Sequence, residues 1–302
     1  MAERILFYDQ IARNKRNSVF LIIGIILVFA VFGYIIALAM GEAYFTIIMI
    51  LSIIISVFYV WFGYYNSHKI AISSVNAKLA DHQKYKQLHN IVESMALASG
   101  LPKPKVYIMP GQQINAFASG RDPKNAVIAV TEGALEKLNK DELEGVIAHE
   151  IGHIANYDIR FMTLTAVLVG MIAILSEIFL RSLFFSSIGG NRDRDGKAQL
   201  VFILIGIALA ILAPIVTYLV QLAISRKREF TADATAVKFT RRPTGLISAL
   251  KKIGQDSSTF KKHEVSKAIA PLFISNPFKN NFKGLTSTHP PLEDRIKVLE
   301  RM

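Results

Sequence analysis

His149-Glu150-Ile151-Gly152-His153 places two imidazoles four positions apart. On an α-helix that spacing puts both rings on one face, where each can turn a nitrogen toward a single metal ion. Glu150, beside the first of them, stands where it can meet a water at that ion without being a ligand. The run therefore calls for a helix, and its three side chains together are the apparatus of zinc-assisted hydrolysis. The bland alternative is two ordinary helix-surface histidines.

A hydrolytic site of this kind wants three protein ligands and one open position. The chain has 302 residues and no cysteine, so thiolate ligands and disulfides are excluded and the third donor must be His, Asp or Glu. After His153 the chain enters an apolar block and returns from another. The downstream candidates are Glu229, Asp233, His263, Glu264, His289, Glu293 and Asp294. Glu229 is favoured because it follows the last apolar block closely on a helix that continues from it. Asp233, one turn on, can accept the outer N–H of a liganding histidine. A solvated Glu229 balancing Arg226 and Arg228 is the competing reading.

Hydrophobic residues make up 52% of the chain, and they concentrate in four blocks. Residues 19–40 and 43–65 are uninterrupted by charge, each long enough to cross a bilayer. Only Gly41 and Glu42 separate them, which gives a tight helical hairpin and not a cleavable leader. A third block runs from Phe161 to Phe185 and includes Glu177 and Arg181, spaced to pair; a fourth runs from Ala198 to Ser225 with a kink expected at Pro214. Length alone would suggest about two domains, but these blocks divide the chain otherwise. The expected layout is an N-terminal segment 1–18, hairpin 19–65, catalytic part 66–160, hairpin 161–225 and second catalytic part 226–302.

Arg4, Arg13, Lys15 and Arg16 precede the first span, Lys69 follows the second, and Arg226, Lys227 and Arg228 follow the fourth. By the positive-inside rule both termini and the middle segment are cytoplasmic. The loop with Arg192, Arg194 and Lys197 is the weak point of that assignment. The net charge of +12 is explained by these flanks and an anionic lipid surface. No basic-and-aromatic pattern of a nucleic-acid module is present.

Within 66–160, residues 71–99 read as one helix stopped by Gly100 and Pro102. Residues 106–109, 114–118 and 126–130 read as short strands of a small sheet. Asn139 with Glu142 marks a capping-box start for the helix that carries the paired histidines and leads toward the third span. His68, His82, His89 and His263 have no usable partner spacing and are expected at the surface or interface.

These motifs together resemble the HtpX-type membrane proteases of the M48 zinc metallopeptidase family. The resemblance runs through Leu101–Tyr107 (LPKPKVY), Asn115–Arg121 (NAFASGR), Asp141–Asn156 (DELEGVIAHEIGHIAN), Arg228–Asp233 (REFTAD) and Ser287–Pro291 (STHPP) with Arg295. It implies a mainly α fold with a small β-sheet (α+β), four transmembrane helices in two hairpins and a cytoplasmic zincin-type, gluzincin catalytic domain. It implies one Zn2+ per chain held by His149, His153 and Glu229, with Glu150 as general base and Asp233 behind a ligand. By the same resemblance His289 and Arg295 lie near the metal, His289 donating to the oxyanion, and the strand Asn115, Ala116, Phe117 and Ala118 lies along an extended substrate.

The implied activity is zinc-dependent endopeptidase action on membrane or misfolded proteins at the cytoplasmic face, in stress response and quality control. The metal is expected in or just above the headgroup layer, since His153 precedes Phe161 by only about 12 Å of straight helix. Two rivals stand beside this: a non-catalytic metal-binding scaffold, and a mononuclear iron facial triad. The second gives Glu150 no role.

Overall fold

A computed structural model describes residues 7–40, 42–188, 205–207, 226–256, 272–275 and 290–302. Apart from helical residues 205–207, the fourth apolar block with Pro214 lies outside the described residues, as do the 189–197 loop, His263, Glu264 and His289.

Helices α1 (Phe7–Met40) and α2 (Glu42–Ser74) form the first hairpin. Phe20, Leu27, Phe58 and Trp61 point outward from it, as expected of a lipid-facing surface. Among the described residues three helices are long and apolar enough to cross a membrane: Ile11–Leu38, Glu42–Ser74 and Asp158–Glu177. The expected Glu177–Arg181 pair is made, at 3.0 Å, and is exposed.

The expected helix over 71–99 is broken. α2 ends at Ser74, Asn76 takes a positive φ of 52°, and a two-residue strand, β1 (Lys78–Leu79), intervenes. Asp81 then accepts the N–H groups of Gln83 and Lys84, closing a turn before α3 (Lys86–Ser99). Strand pairing of β1 outweighs local helix propensity here. His89 is buried, stacked on His82 with ring centroids 4.6 Å apart and bonded to the Ala80 carbonyl, so it is not a surface residue.

Strands β2 (Lys105–Met109), β3 (Ala116–Ser119) and β4 (Val127–Thr131) complete a sheet in the order β1-β2-β4-β3. β4 is parallel to β2, with Val106 opposite Ile128, and antiparallel to β3, with Phe117 opposite Ala129. Alternate residues serve two different cores. Val106, Ile108, Ala116, Ala118, Ile128 and Val130 pack in the cluster containing α3; Met109, Phe117, Val127 and Ala129 pack with residues of α1, α2 and the third long helix. The sheet is thus a floor shared between the soluble and membrane parts.

A short helix α4 (Glu132–Lys137) leads to α5 (Lys140–Ala155), which opens on the expected capping box: Asn139 Oδ1 accepts from Glu142 N–H, and Glu142 Oε2 accepts from Asn139 N–H. α5 is buried on nearly all sides. Two of its glycines permit that. A methyl group on Gly145 would lie 2.6 Å from Leu246 N, on α8 (Thr244–Gln255), and one on Gly152 would lie 3.1 Å from Ala232 O, on α7 (Arg226–Thr240).

α5 does not run straight into the membrane. It stops at Ala155, Tyr157 takes φ 59°, and α6 (Asp158–Ile188) departs in a new direction. A positive φ at a non-glycine residue is uncommon, and this one makes the corner. The last element is α9 (Leu292–Leu299), against α7 and α8.

Candidate metal centre

α5 presents His149 and His153 on one face with their Nε2 atoms 3.2 Å apart. Each ring is oriented by a carboxylate on its other nitrogen. His149 Nδ1 is 2.9 Å from Asp233 Oδ1 and His153 Nδ1 is 3.1 Å from Asp158 Oδ2. With the ring protons assigned to Nδ1, both Nε2 lone pairs face the same point, the arrangement in which outer carboxylates fix liganding histidines. Glu229 on α7 closes the third side, Oε1 3.6 Å from His153 Nε2 and Oε2 3.7 Å from His149 Nε2. One donor atom from each of the three lies within 4.8 Å of the others, and all three residues are buried.

The surroundings suit a divalent cation. With both imidazoles neutral and all four carboxylates ionised, the state a bound cation requires, Glu150, Glu229, Asp233 and Asp158 stand against the two guanidiniums of Arg228 and Arg295, two negative charges more than positive among these six side chains. Buried charge on that scale needs a counter-ion. The all-nitrogen-and-oxygen donor set, with three protein ligands, fits zinc in a hydrolytic site.

Glu150 lies beside the triad with both carboxylate oxygens buried and outside hydrogen-bonding geometry. Burial pushes its pKa up to about 7; His153 opposes the rise and Glu229 adds to it. The Ala118 N–H on β3, directed at the carboxylate, also opposes the rise. For His153, burial disfavours the proton, but the Asp158 hydrogen bond and the charges of Glu229, Asp158 and Glu150 win and hold its pKa up at about 9. His149 goes the other way, lowered by burial and the nearby Arg295.

Arg295, fully buried on α9, ties the centre together. Its Nε and Nη2 donate to Asp233 at 2.8 and 2.6 Å, and its Nη1 is 3.2 Å from Glu229 Oε2. Burial opposes the Asp233 charge, yet Arg295 and His149 hold that carboxyl below its ordinary range. The structure therefore brings His149, Glu150, His153, Glu229, Asp233 and Arg295 to one place.

The strand Asn115–Ala118 borders the centre, with β3 starting at Ala116 and reaching Ser119. Its outer edge is occupied by the chain itself. Ile274 N–H donates to Ala116 O at 3.0 Å, Phe117 and Phe273 form an antiparallel bridge, and Asn115 Nδ2 donates to Ser275 O at 3.1 Å.

Sequence reasoning missed Asp158 and Arg228. Arg228 Nε is 3.5 Å from Asp158 Oδ1 and its guanidinium lies over the Phe161 ring. An acidic residue at the mouth of an apolar span, five positions after His153, was the available signal.

The sequence pattern of Peptidase family M48 matches residues 82–302. A protease HtpX homolog of Caldanaerobacter subterraneus subsp. tengcongensis is 46% identical over 304 aligned residues, covering 100% of this chain and 99% of that protein. One of Listeria monocytogenes serotype 4a is 42% identical, covering 98% of this chain and 100% of that protein. In fold the chain is similar to the crystal structure of S. mikatae Ste24p, with a TM-score of 0.52 at 20% identity over 83% of this chain and 58% of that one. The chain belongs to peptidase family M48, and the His149–His153–Glu229 cluster is its zinc site.

Proposed function

We propose that this membrane metallopeptidase is an endopeptidase that cleaves membrane-inserted or misfolded proteins at the cytoplasmic face of the bilayer, in protein quality control. One observation carries the membrane part of the reading. Asp158, which orients zinc ligand His153 at 3.1 Å, is itself the first residue of the membrane-crossing helix α6. The site is thus built into the base of the membrane bundle. An apolar cavity of about 270 Å³ between α2 and α6, lined by Gly63, Ala71, Val167 and Leu272, supports access from that side. The basic flanks of the spans support cytoplasmic termini, with 66–160 and 226–302 forming the catalytic part between hairpins 19–65 and 161–225.

When bound, zinc supplies Lewis-acid polarisation of the scissile carbonyl and acidifies the attacking water. Glu150, beside the ligands and not one of them, takes the water proton and returns it to the leaving amine. Asp233 and Asp158 hold the two imidazoles, and Arg295 holds Asp233 and Glu229. An extended substrate strand adds to the outer edge of β3 through the backbone groups of Ala116 and Ala118, with Asn115 reading its main chain, in the place that residues 272–275 occupy. His289, outside the described residues, remains in this reading as the oxyanion donor.

The test uses the full chain in nanodiscs with zinc, presented with a membrane-inserted reporter and with soluble unfolded casein. Zinc-dependent cleavage of both, faster for the reporter, is expected. Equal rates would remove the membrane preference, and hydrolysis by Glu150→Gln would remove the assigned base.

A further inference from the structure

The helix α1 belongs to the first hairpin, and none of the three zinc ligands lies on it. Yet Asn14, within the apolar helix segment Ile11–Leu38, is buried and directed at the metal centre's support. Its Nδ2 donates to Asp158 Oδ1 at 2.6 Å and to the Asn156 carbonyl at 3.0 Å. Both hydrogens of one side-chain amide are used. Asn14 lies between Arg13 and Lys15, in the basic turn before the apolar run 19–40, and its two bonds reach residues 142 and 144 positions away.

What Asn14 grips is the corner between the zinc helix and the membrane helix. Asn156 supplies one of the last carbonyls of α5, which have no partner within the helix. Tyr157 sits at φ 59°, and the next α1 residue, Lys15, places its Nζ 4.5 Å from the Tyr157 ring centroid. Asp158 follows, with Oδ2 on His153 Nδ1 and Oδ1 held by Asn14, 3.5 Å from Arg228 Nε. Ser18 Oγ bonds back to the Asn14 carbonyl at 2.8 Å, one turn along α1. Without Asn14, the Asp158 carboxylate would lose its shortest hydrogen bond and one constraint on its torsion, and the His153 ring would lose the fixed acceptor that aims Nε2.

We propose that Asn14 is a positioning residue of the zinc centre, acting on His153 through Asp158, so that the first membrane helix completes a site whose ligands come from elsewhere. Residue type follows from geometry. Two acceptors converge on the side chain, so it must offer two N–H groups; an aspartate there would set a third oxygen against two.

The proposal rests on the zinc site and not on the substrate, so zinc affinity is the primary measurement and hydrolysis a separate one. Full-length protein in detergent is titrated with zinc against a chromophoric chelator. Asn14→Ala and Asn14→Leu both remove the donors, and the second keeps the volume, so a cavity effect would strike only the first. Each is expected to weaken zinc binding about ten-fold, the usual cost of losing an outer partner of a ligand. Asp158→Asn is expected to weaken it at least as much, and combining it with Asn14→Leu should add little, since both act through one contact. Asn14→Gln retains the amide and should recover most of the affinity. Leu21→Ala, a buried packing change on the same helix, should lower the melting temperature and leave zinc affinity as it is. Zinc affinity within two-fold of the parent in both Asn14 variants overturns the proposal, as do Asn14 and Asp158 effects that simply multiply. Loss of hydrolysis with zinc affinity unchanged overturns it too, and places the fault in substrate handling.

Discussion

Ile274 N–H meets Ala116 O at 3.0 Å, so the strand edge beside the zinc site is already hydrogen-bonded to a piece of the same chain. If substrate adds to β3 as proposed, its strand competes with that piece for the same carbonyl. Ile274→Pro deletes the donor and leaves β3 untouched. The expected outcome is a several-fold lower KM for an unfolded polypeptide at similar kcat, read from steady-state kinetics. A higher KM would mean that residues 272–275 help hold substrate.

Glu150→Gln should retain zinc and lose hydrolysis by roughly 10²–10⁴-fold, the range for a general base. The metal-free protein gives a second readout. The Glu150 pKa is about 7 in the fold against 4.5 unfolded, so the fold holds the extra proton between those values. Its stability therefore falls as pH rises through that window, by about 3 kcal/mol for one such group. Melting of the zinc-free protein should show that loss, and the Gln variant should lack it.

His153 has the opposite consequence for metal uptake. Its folded pKa of about 9 lies above the ordinary 6.5. The stability this proton contributes to the zinc-free fold is complete below pH 6.5 and disappears as pH rises through 9. Zinc must displace the proton, so apparent zinc affinity should climb by about ten-fold per pH unit between 6.5 and 9. Chelator competition at three pH values measures the slope; a flat response would place the proton elsewhere.

Arg295→Ala leaves the buried Asp233 carboxylate with His149 but no cation, and removes the contact to Glu229. Breaking a buried pair from one side costs about 3–5 kcal/mol. Zinc binding should weaken along with it. Arg295→Lys should rescue little, because a single ammonium nitrogen lacks the planar fork whose three nitrogens reach the two oxygens of Asp233 and one of Glu229. Denaturant unfolding with and without zinc would separate the two effects.

The metal face of α5 was legible because helical periodicity leaves no freedom: residues four apart must share a side, and the Asn139–Glu142 box states where the helix starts. The strand at residues 126–130 was equally plain as a short continuous apolar run between turn residues, since both of its faces are buried. Residues 75–77 gave no warning of a break. They hold neither proline nor glycine, and the interruption comes from β1 pairing across the sheet. Asn14 and Asp158 were illegible for a related reason. They are 144 positions apart, and only the corner at Tyr157 aims the second at the first.

That corner has a practical consequence. Two residues, Asn156 and the left-handed Tyr157, are all that part the zinc-binding helix from α6. A cut at that junction, by protease or by trimming the gene, would part His153 from the Asp158 carboxylate that orients it, so enzyme freed there would lose a support of its zinc site.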